Sequence, residues 1–348
     1  MEVVLNKKER INTIKVAING FGRIGRLVFR IMEKDPEFEV VAINDLSSSK
    51  DLAYLLKYDT SHRLYDAEVS SEDDNIIVNN KKIKIYSEKE PTNLPWKDLD
   101  IDIVFECTGL FTDKEKAYDH IKAGAKKVII SAPAKGDLKT IVYNVNERTL
   151  DGTEEVISAA SCTTNCLAPT LRIIDYYFKI KKGFMTTVHA YTNDQATLDV
   201  AHKKGYMSRR GRAAAANIVP TSTGAASAIG KVLPNLEGKL DGTAMRVPVT
   251  DGSVVDLVLE LEKNTSVEEI NKAFEINQNE TIKITKDPIV SSDIIGSTTG
   301  ALVDTLLTNI VEVDGKQLVK VVAWYDNEFG YSNQMVRLAK YVGKQMKK

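Results

Sequence analysis

Two textures of apolar and polar positions divide the chain. In the first half, short apolar runs alternate with stretches at helical spacing. Ile14-Lys15-Val16-Ala17-Ile18 reads as a strand, and Ile24, Leu27, Val28 and Ile31 then recur on one helical face up to Asp35-Pro36. Further strands are predicted at Glu39–Asp45, Ile101–Phe105 and Lys126–Ser131, with a helix over about 113–123 between the last two. Strands separated by helices predict a parallel, doubly wound α/β sheet. The second half carries longer, more alternating runs at Phe184–Ala190, Ala244–Thr250, Ser253–Leu261 and Leu318–Tyr325, which predict a mostly antiparallel sheet with one covered face. Residues 331–345 return to helical spacing through Met335, Leu338, Ala339 and Val342, and the boundary between the two textures is expected near residues 158–163.

Composition excludes several classes of protein. The chain has 348 residues, enough for about two domains at ~100–200 residues each. Its 47 basic and 48 acidic side chains give a formal net charge of −1, without the basic excess of a dedicated nucleic-acid surface. No run approaches the ~18 apolar residues of a membrane span, and Met1–Arg10 has no apolar core of signal-peptide length, so a cytoplasmic protein is expected. Cys107, Cys162 and Cys166 are an odd, sparse set, expected to be free thiols in a reducing compartment. No metal site is predicted.

Gly20-Phe21-Gly22-Arg23-Ile24-Gly25 follows the first strand and opens the first helix. A dinucleotide pyrophosphate needs a tight turn, a bare backbone and close helix–strand contact there, and the helix N-terminus then offers unpaired N–H groups. A lone GxGxxG is weak, but here strand, helix and βαβ context are all in place. Asp45 lies 20 residues past Gly25, where an acidic residue is expected to accept from ribose hydroxyls and repel a 2′-phosphate. The reading favours NAD over NADP.

Ser158-Ala159-Ala160-Ser161-Cys162-Thr163-Thr164-Asn165-Cys166 runs from a strand through a polar turn, and Leu167, Leu171, Ile174 and Phe178 mark a helix beyond it. Cys162 therefore sits near a helix N-terminus, which is expected to stabilise its thiolate and lower its pKa. Cys166 is expected to pack inside, and Cys107, near a strand end, to be a small buried residue. His189, at a strand end, could serve Cys162 as base. Taken alone the pairing is poor evidence, because most lone histidines are structural. Arg209-Arg210-Gly211-Arg212 reads either as a solvated charged face or as a loop for a phosphorylated substrate. Arg246, near the end of an apolar strand, needs an anionic partner.

These residues carry a resemblance. Ile18–Arg26, Ala160–Cys166, Thr187–Thr192, Arg212–Ala215, Ser222–Ala226 and Trp324–Ser332 resemble the phosphorylating glyceraldehyde-3-phosphate dehydrogenase family in its bacterial, glycolytic form, from about residue 13 onward. The cysteine heptapeptide is the most specific of these motifs. The resemblance implies a Rossmann NAD-binding domain over 1–161, joined by a C-terminal helix at 330–348, and an α+β catalytic domain over 162–329. It implies that Cys162 attacks D-glyceraldehyde 3-phosphate, with His189 as base, and that the thioester is released by inorganic phosphate. Thr192 and Arg246 are expected to hold the substrate phosphate, and Ser161, Thr163, Arg210, Thr223 and Gly224 the attacking phosphate. Cofactor contacts are expected from Gly20, Gly22, Arg23, Ile24, Gly25, Asp45, Lys89, Thr108, Ser131 and Asn327. A homotetramer is implied, in which the loop around 191–217 reaches a neighbour's cofactor site.

Three departures qualify the resemblance. Residues 1–12 extend beyond the family's usual start and are expected to be a flexible extension. Lys57–Arg63 lacks the glycine usual after the histidine, which affects that loop's shape, and Ala201 stands where NAD-preferring members often carry proline. Erythrose-4-phosphate dehydrogenase is the nearest rival activity, and Ala190-Tyr191-Thr192 favours the glyceraldehyde form. A non-catalytic binding role has no electrostatic footprint here.

Overall fold

A computed structural model describes residues 13–347; the extension expected at residues 1–12 lies outside the described residues. The first sheet contains β1 (Ile14–Asn19), β2 (Phe38–Asn44), β3 (Val69–Glu72), β4 (Asn75–Val78), β5 (Lys81–Tyr86), β6 (Ile103–Glu106), β7 (Lys127–Ile130) and β8 (Val156–Ser158). Their order is β3-β4-β5-β2-β1-β6-β7-β8. From β5 to β8 all neighbours are parallel, whereas β3–β4 and β4–β5 pair antiparallel. Helices cover both faces, so Val16, Ala17 and Ile18 of β1 are all fully buried. This is the expected doubly wound sheet. It is extended by the β3–β5 meander, whose β4–β5 turn uses Asn79 and Asn80 at φ 47° and 66°.

The helix expected over 113–123 divides at Tyr118 into Lys114–Ala117 and Asp119–Lys122, the Tyr118 carbonyl accepting from both Ile121 and Lys122 N–H at 2.9 and 3.0 Å. The C-terminal helix Phe329–Met346 returns to the first sheet. Its Tyr331, Met335, Leu338 and Val342 join Ile14 and Val16 in one apolar cluster, and Gly343 leaves no room for a Cβ beside Ile14.

The second sheet contains β9 (Ile180–Ala190), β10 (Val219–Ser222), β11 (Leu240–Val247), β12 (Ser253–Leu261), β13 (Ile282–Thr285), β14 (Ala301–Asp304), β15 (Asn309–Val313) and β16 (Lys316–Tyr325). Its order is β10-β11-β9-β12-β16-β14-β13, with β15 on β16, and only β9–β11 and β13–β14 are parallel. On β12, Val255, Leu257, Leu259 and Leu261 face the core, where they meet Leu167, Leu171 and Ile174 of the helix Cys162–Phe178. Burying each such leucine contributes about 1.5–3 kcal/mol. The strand expected at Ala244–Thr250 instead spans Leu240–Val247, because Pro248 has no N–H with which to continue the ladder.

The loop without the usual glycine keeps a left-handed backbone. Arg63 adopts φ 64° and its side chain is exposed. A left-handed L-residue is strained by about 1–2 kcal/mol, whereas glycine adopts this φ freely. Arg63→Gly is therefore expected to raise stability by up to about 1 kcal/mol, read as a higher thermal midpoint. An unchanged or lower midpoint would contradict this account of the loop.

Candidate active site

The thiol stands on a strained strand-to-helix turn. β8 ends at Ser158, buried Ala160 takes φ 59°, and Cys162 is the first residue of its helix. The turn is held by several contacts. Ser158 Oγ accepts from Ala160 N–H at 3.1 Å, Tyr331 OH donates to the Ala160 carbonyl at 3.0 Å, and Asn165 Nδ2 donates to the Ala159 carbonyl at 2.9 Å. Ser161 caps the helix, accepting from Thr164 N–H at 3.1 Å.

β9 brings His189 to this turn, with Nε2 3.4 Å from Cys162 Sγ. Nδ1 lies 2.7 Å from the Ala190 carbonyl, and the tautomer that donates Nδ1–H there leaves the Nε2 lone pair facing the thiol. Arg246 stands opposite His189 in the β9–β11 register. Its Nη1 lies 2.8 Å from Nδ1 and donates to the Ala190 carbonyl at 3.0 Å and to Thr192 Oγ1 at 3.2 Å. Burial, reinforced by the Arg246 charge, lowers the His189 pKa to about 3, so the ring is a neutral base.

Burial also pushes the Cys162 thiol up, against the opposing pull of Arg246 and of the Thr163 hydroxyl and N–H. This reverses the direction expected from the helix N-terminus, because desolvating a thiolate outweighs the favourable charges around it. The resting pair is thus thiol and imidazole, and the thiolate forms by proton transfer to Nε2.

A cleft of about 600 Å³ opens beside this pair. Gly22, Arg23, Ile24, Thr108, Ser131, Ser161, Cys162, His189, Thr192 and Asn327, all anticipated from sequence, line it. The glycine turn fits a dinucleotide. A Cβ on Gly25 would lie 2.1 Å from the Gly20 carbonyl oxygen, and one on Gly20, at φ +90°, would lie 2.7 Å from Thr108 N. A Cβ on Gly22 would meet nothing within 4 Å, so the backbone is open to the cleft there, and the helix Arg23–Met32 has no side-chain N-cap. Asp45 holds this turn, its Oδ2 accepting from Phe21 N–H at 2.8 Å. Glu106 positions Thr108 by accepting its N–H at 2.8 Å, and Asn327 Oδ1 accepts from Ser253 Oγ at 2.6 Å.

Other anticipated residues do not line the cleft. Thr163 is buried, its hydroxyl 2.9 Å from Tyr325 OH. Arg210 pairs with Asp194 and donates to Thr221 Oγ1 at 3.1 Å, and Asp194 also accepts the Thr192 hydroxyl. Thr223 and Gly224 lie at the N-terminus of the helix Ala225–Val232, and Lys89 is exposed. Cys166 is fully buried as expected, but Cys107 is half-buried and forms part of the cleft wall, because β6 ends one residue before it.

Sequence reasoning missed two supporting residues. Tyr325 lies edge-on to His189, ring centres 5.9 Å apart, and its hydroxyl joins Thr163 to Thr187, the latter at 2.8 Å. Glu328 anchors Arg23, accepting from its Nε at 2.9 Å, while Asp59 takes Nη1 at 2.5 Å. Both lie in the stretch Trp324–Ser332, where the mixed polar and aromatic composition was the available signal.

A dinucleotide turn and a thiol–imidazole pair opening on one cleft fit the class of nicotinamide-dependent oxidoreductases. Comparison with known proteins narrows this class. A family model described as "Glyceraldehyde 3-phosphate dehydrogenase, NAD binding domain" matches residues 14–114, and one described as "Glyceraldehyde 3-phosphate dehydrogenase, C-terminal domain" matches residues 161–327. The chain is 58% identical over 330 residues to the glyceraldehyde-3-phosphate dehydrogenase of Clostridium pasteurianum and 57% identical over 330 residues to that of Clostridium acetobutylicum. It is 54% identical over 332 residues to that of Streptococcus pyogenes. Each match covers 95% of this chain and 98% of the relative. The chain belongs to the glyceraldehyde-3-phosphate dehydrogenase family.

Proposed function

We propose that this chain converts D-glyceraldehyde 3-phosphate, NAD and inorganic phosphate to 1,3-bisphosphoglycerate and NADH, the oxidative phosphorylation step of glycolysis. The observation that carries the reading is the 3.4 Å approach of His189 Nε2 to Cys162 Sγ. Sγ attacks the aldehyde carbon as its proton passes to Nε2, and the imidazolium returns that proton to the new oxyanion, giving a thiohemiacetal. Bound NAD supplies the hydride acceptor. His189 removes the hydroxyl proton as the carbon is oxidised, leaving a thioester on Cys162. A phosphate oxygen then attacks the thioester carbonyl, the C–S bond breaks, and Cys162 recovers its proton from His189.

Arg246 supports the assignment of a phosphorylated substrate. Its Nε is buried without a hydrogen-bond partner, and its Nη1 reaches Thr192 Oγ1 at 3.2 Å, leaving a cation available to an anion beside the thiol. Arg246→Ala is expected to raise the KM for the phosphorylated aldehyde about 10–100-fold, the value of a charge-assisted hydrogen bond, while that for unphosphorylated glyceraldehyde stays put. An unaltered KM for the phosphorylated aldehyde would remove Arg246 from the substrate site.

Arg210, linked to Thr192 through Asp194, is proposed with Ser161, Thr163, Thr223 and Gly224 for the attacking phosphate. The cofactor is proposed to lie against Gly20–Gly25, Asp45, Lys89, Thr108, Ser131 and Asn327. The same reading assigns 1–161 and the C-terminal helix to cofactor binding and 162–329 to catalysis. A cytoplasmic homotetramer is proposed. Among the described residues no helix is long and apolar enough to cross a membrane, and Leu198, Val200, Tyr206 and Met207 of the 191–217 loop are exposed in the single chain, as a surface covered by a neighbour would be. The test is steady-state NADH production with D-glyceraldehyde 3-phosphate and with erythrose 4-phosphate, each with and without inorganic phosphate. The reading requires phosphate-dependent turnover that prefers the triose.

A further inference from the structure

One cluster beside the catalytic pair contains two residues, His62 and Asp251, that the reaction does not use, and a third, Glu328, that anchors Arg23. His62 follows the helix Ser49–Lys57, Asp251 lies in the turn between β11 and β12, and Glu328 precedes the C-terminal helix. His62 Nε2 is 3.0 Å from Glu328 Oε2 and 3.3 Å from Asp251 Oδ2, and one ligand atom from each residue lies within 4.8 Å of the others. A tetrahedral shell of radius ~2.0–2.1 Å has ligand–ligand edges of about 3.4 Å, so the two spacings from His62 suit one cation.

Asp251 supplies the independent observation. It is 1% exposed, and its Oδ2, turned toward His62, accepts no hydrogen bond, although its Oδ1 accepts from Gly252 N–H at 2.8 Å. An ionised carboxylate left in that position is costly, and buried charges are held where a counter-charge or metal compensates them. The turn is closely packed at the next residue, where a Cβ on Gly252, at φ +87°, would lie 2.1 Å from the Ser291 carbonyl oxygen.

We propose that His62, Asp251 and Glu328 form a binding site for a divalent transition cation of the Zn(II) class, with water as the fourth ligand. One imidazole and two carboxylates suit such an ion. On binding, Glu328 Oε2 turns to the metal, while Arg23 keeps its pairing with Asp59 at 2.5 Å. The cation would tie the loop before β3 to the second sheet and to the C-terminal helix.

Equilibrium dialysis against Zn(II), using the full chain carrying Cys162→Ser to remove the reactive thiol as a competing ligand, tests the site. One equivalent per chain is expected, and Asp251→Asn and His62→Gln in that background should each weaken binding at least about tenfold. Absence of stoichiometric binding, or binding unchanged by either substitution, overturns the proposal. Should one substituted chain fail to fold, the Cys162→Ser protein and the other substitution still decide the matter.

Discussion

Replacing Cys162 by serine is expected to lower phosphorylating dehydrogenase turnover by at least about 10⁴-fold while leaving NAD affinity within about twofold of the parent. The oxygen keeps the shape of the turn, and Ser161, which caps the helix, is untouched. What is lost is an atom that can be deprotonated by a neutral imidazole at 3.4 Å and can later leave from a thioester. A serine hydroxyl gives up its proton far less readily, and an oxygen ester does not hold the acyl group at comparable reactivity. Turnover by stopped-flow absorbance and NAD binding by calorimetry together check the prediction. Substantial residual turnover would move the nucleophile elsewhere, with Cys107 the other thiol in the cleft wall.

His189→Asn carries the second large effect. Removing the base should lower kcat about 10²–10⁴-fold, the usual contribution of a positioned proton acceptor. The pH profile should change as well. In the parent, the imidazole pKa lies near 3, so the base is already neutral throughout the working range and kcat/KM should be nearly flat from pH 6 to 8. In the variant, activity must wait for the thiol to ionise unaided, and burial holds that thiol above its ordinary value. Its kcat/KM should therefore rise about tenfold per pH unit across neutral pH. A flat profile in the variant would show that something other than His189 takes the thiol proton.

The parallel core, the glycine turn and the place of the thiol were legible in the sequence because each is local. A strand, a GxGxxG turn and a helix succeed one another within residues 14–32, and the thiol sits at the head of its own helix. The β3–β5 meander was not read, although Asn79-Asn80 is a hairpin turn by composition, because its strands are four to six residues long and bury one face only. Pairings made across the fold were not legible either. Glu328 reaches Arg23 over a separation of 305 residues, and Asp251, in the turn between β11 and β12, meets His62 of the first half of the chain. The direction of the Cys162 shift failed for a related reason. A helix N-terminus can be read from a pattern of residues, but burial of the thiol depends on everything packed around it. Arg63 shows the converse, an unusual residue whose backbone keeps the left-handed shape glycine would take.

The central claim is that the aldehyde is oxidised while covalently attached to Cys162. Its most direct measurement is mass spectrometry of the enzyme quenched after mixing with D-glyceraldehyde 3-phosphate and NAD in the absence of inorganic phosphate, alongside the burst of NADH absorbance. The account predicts an acyl adduct on the peptide containing Cys162, formed at one per chain with a matching burst, and its discharge when phosphate is added. A full NADH burst with no adduct, or with the adduct on Cys107 or Cys166, would contradict it.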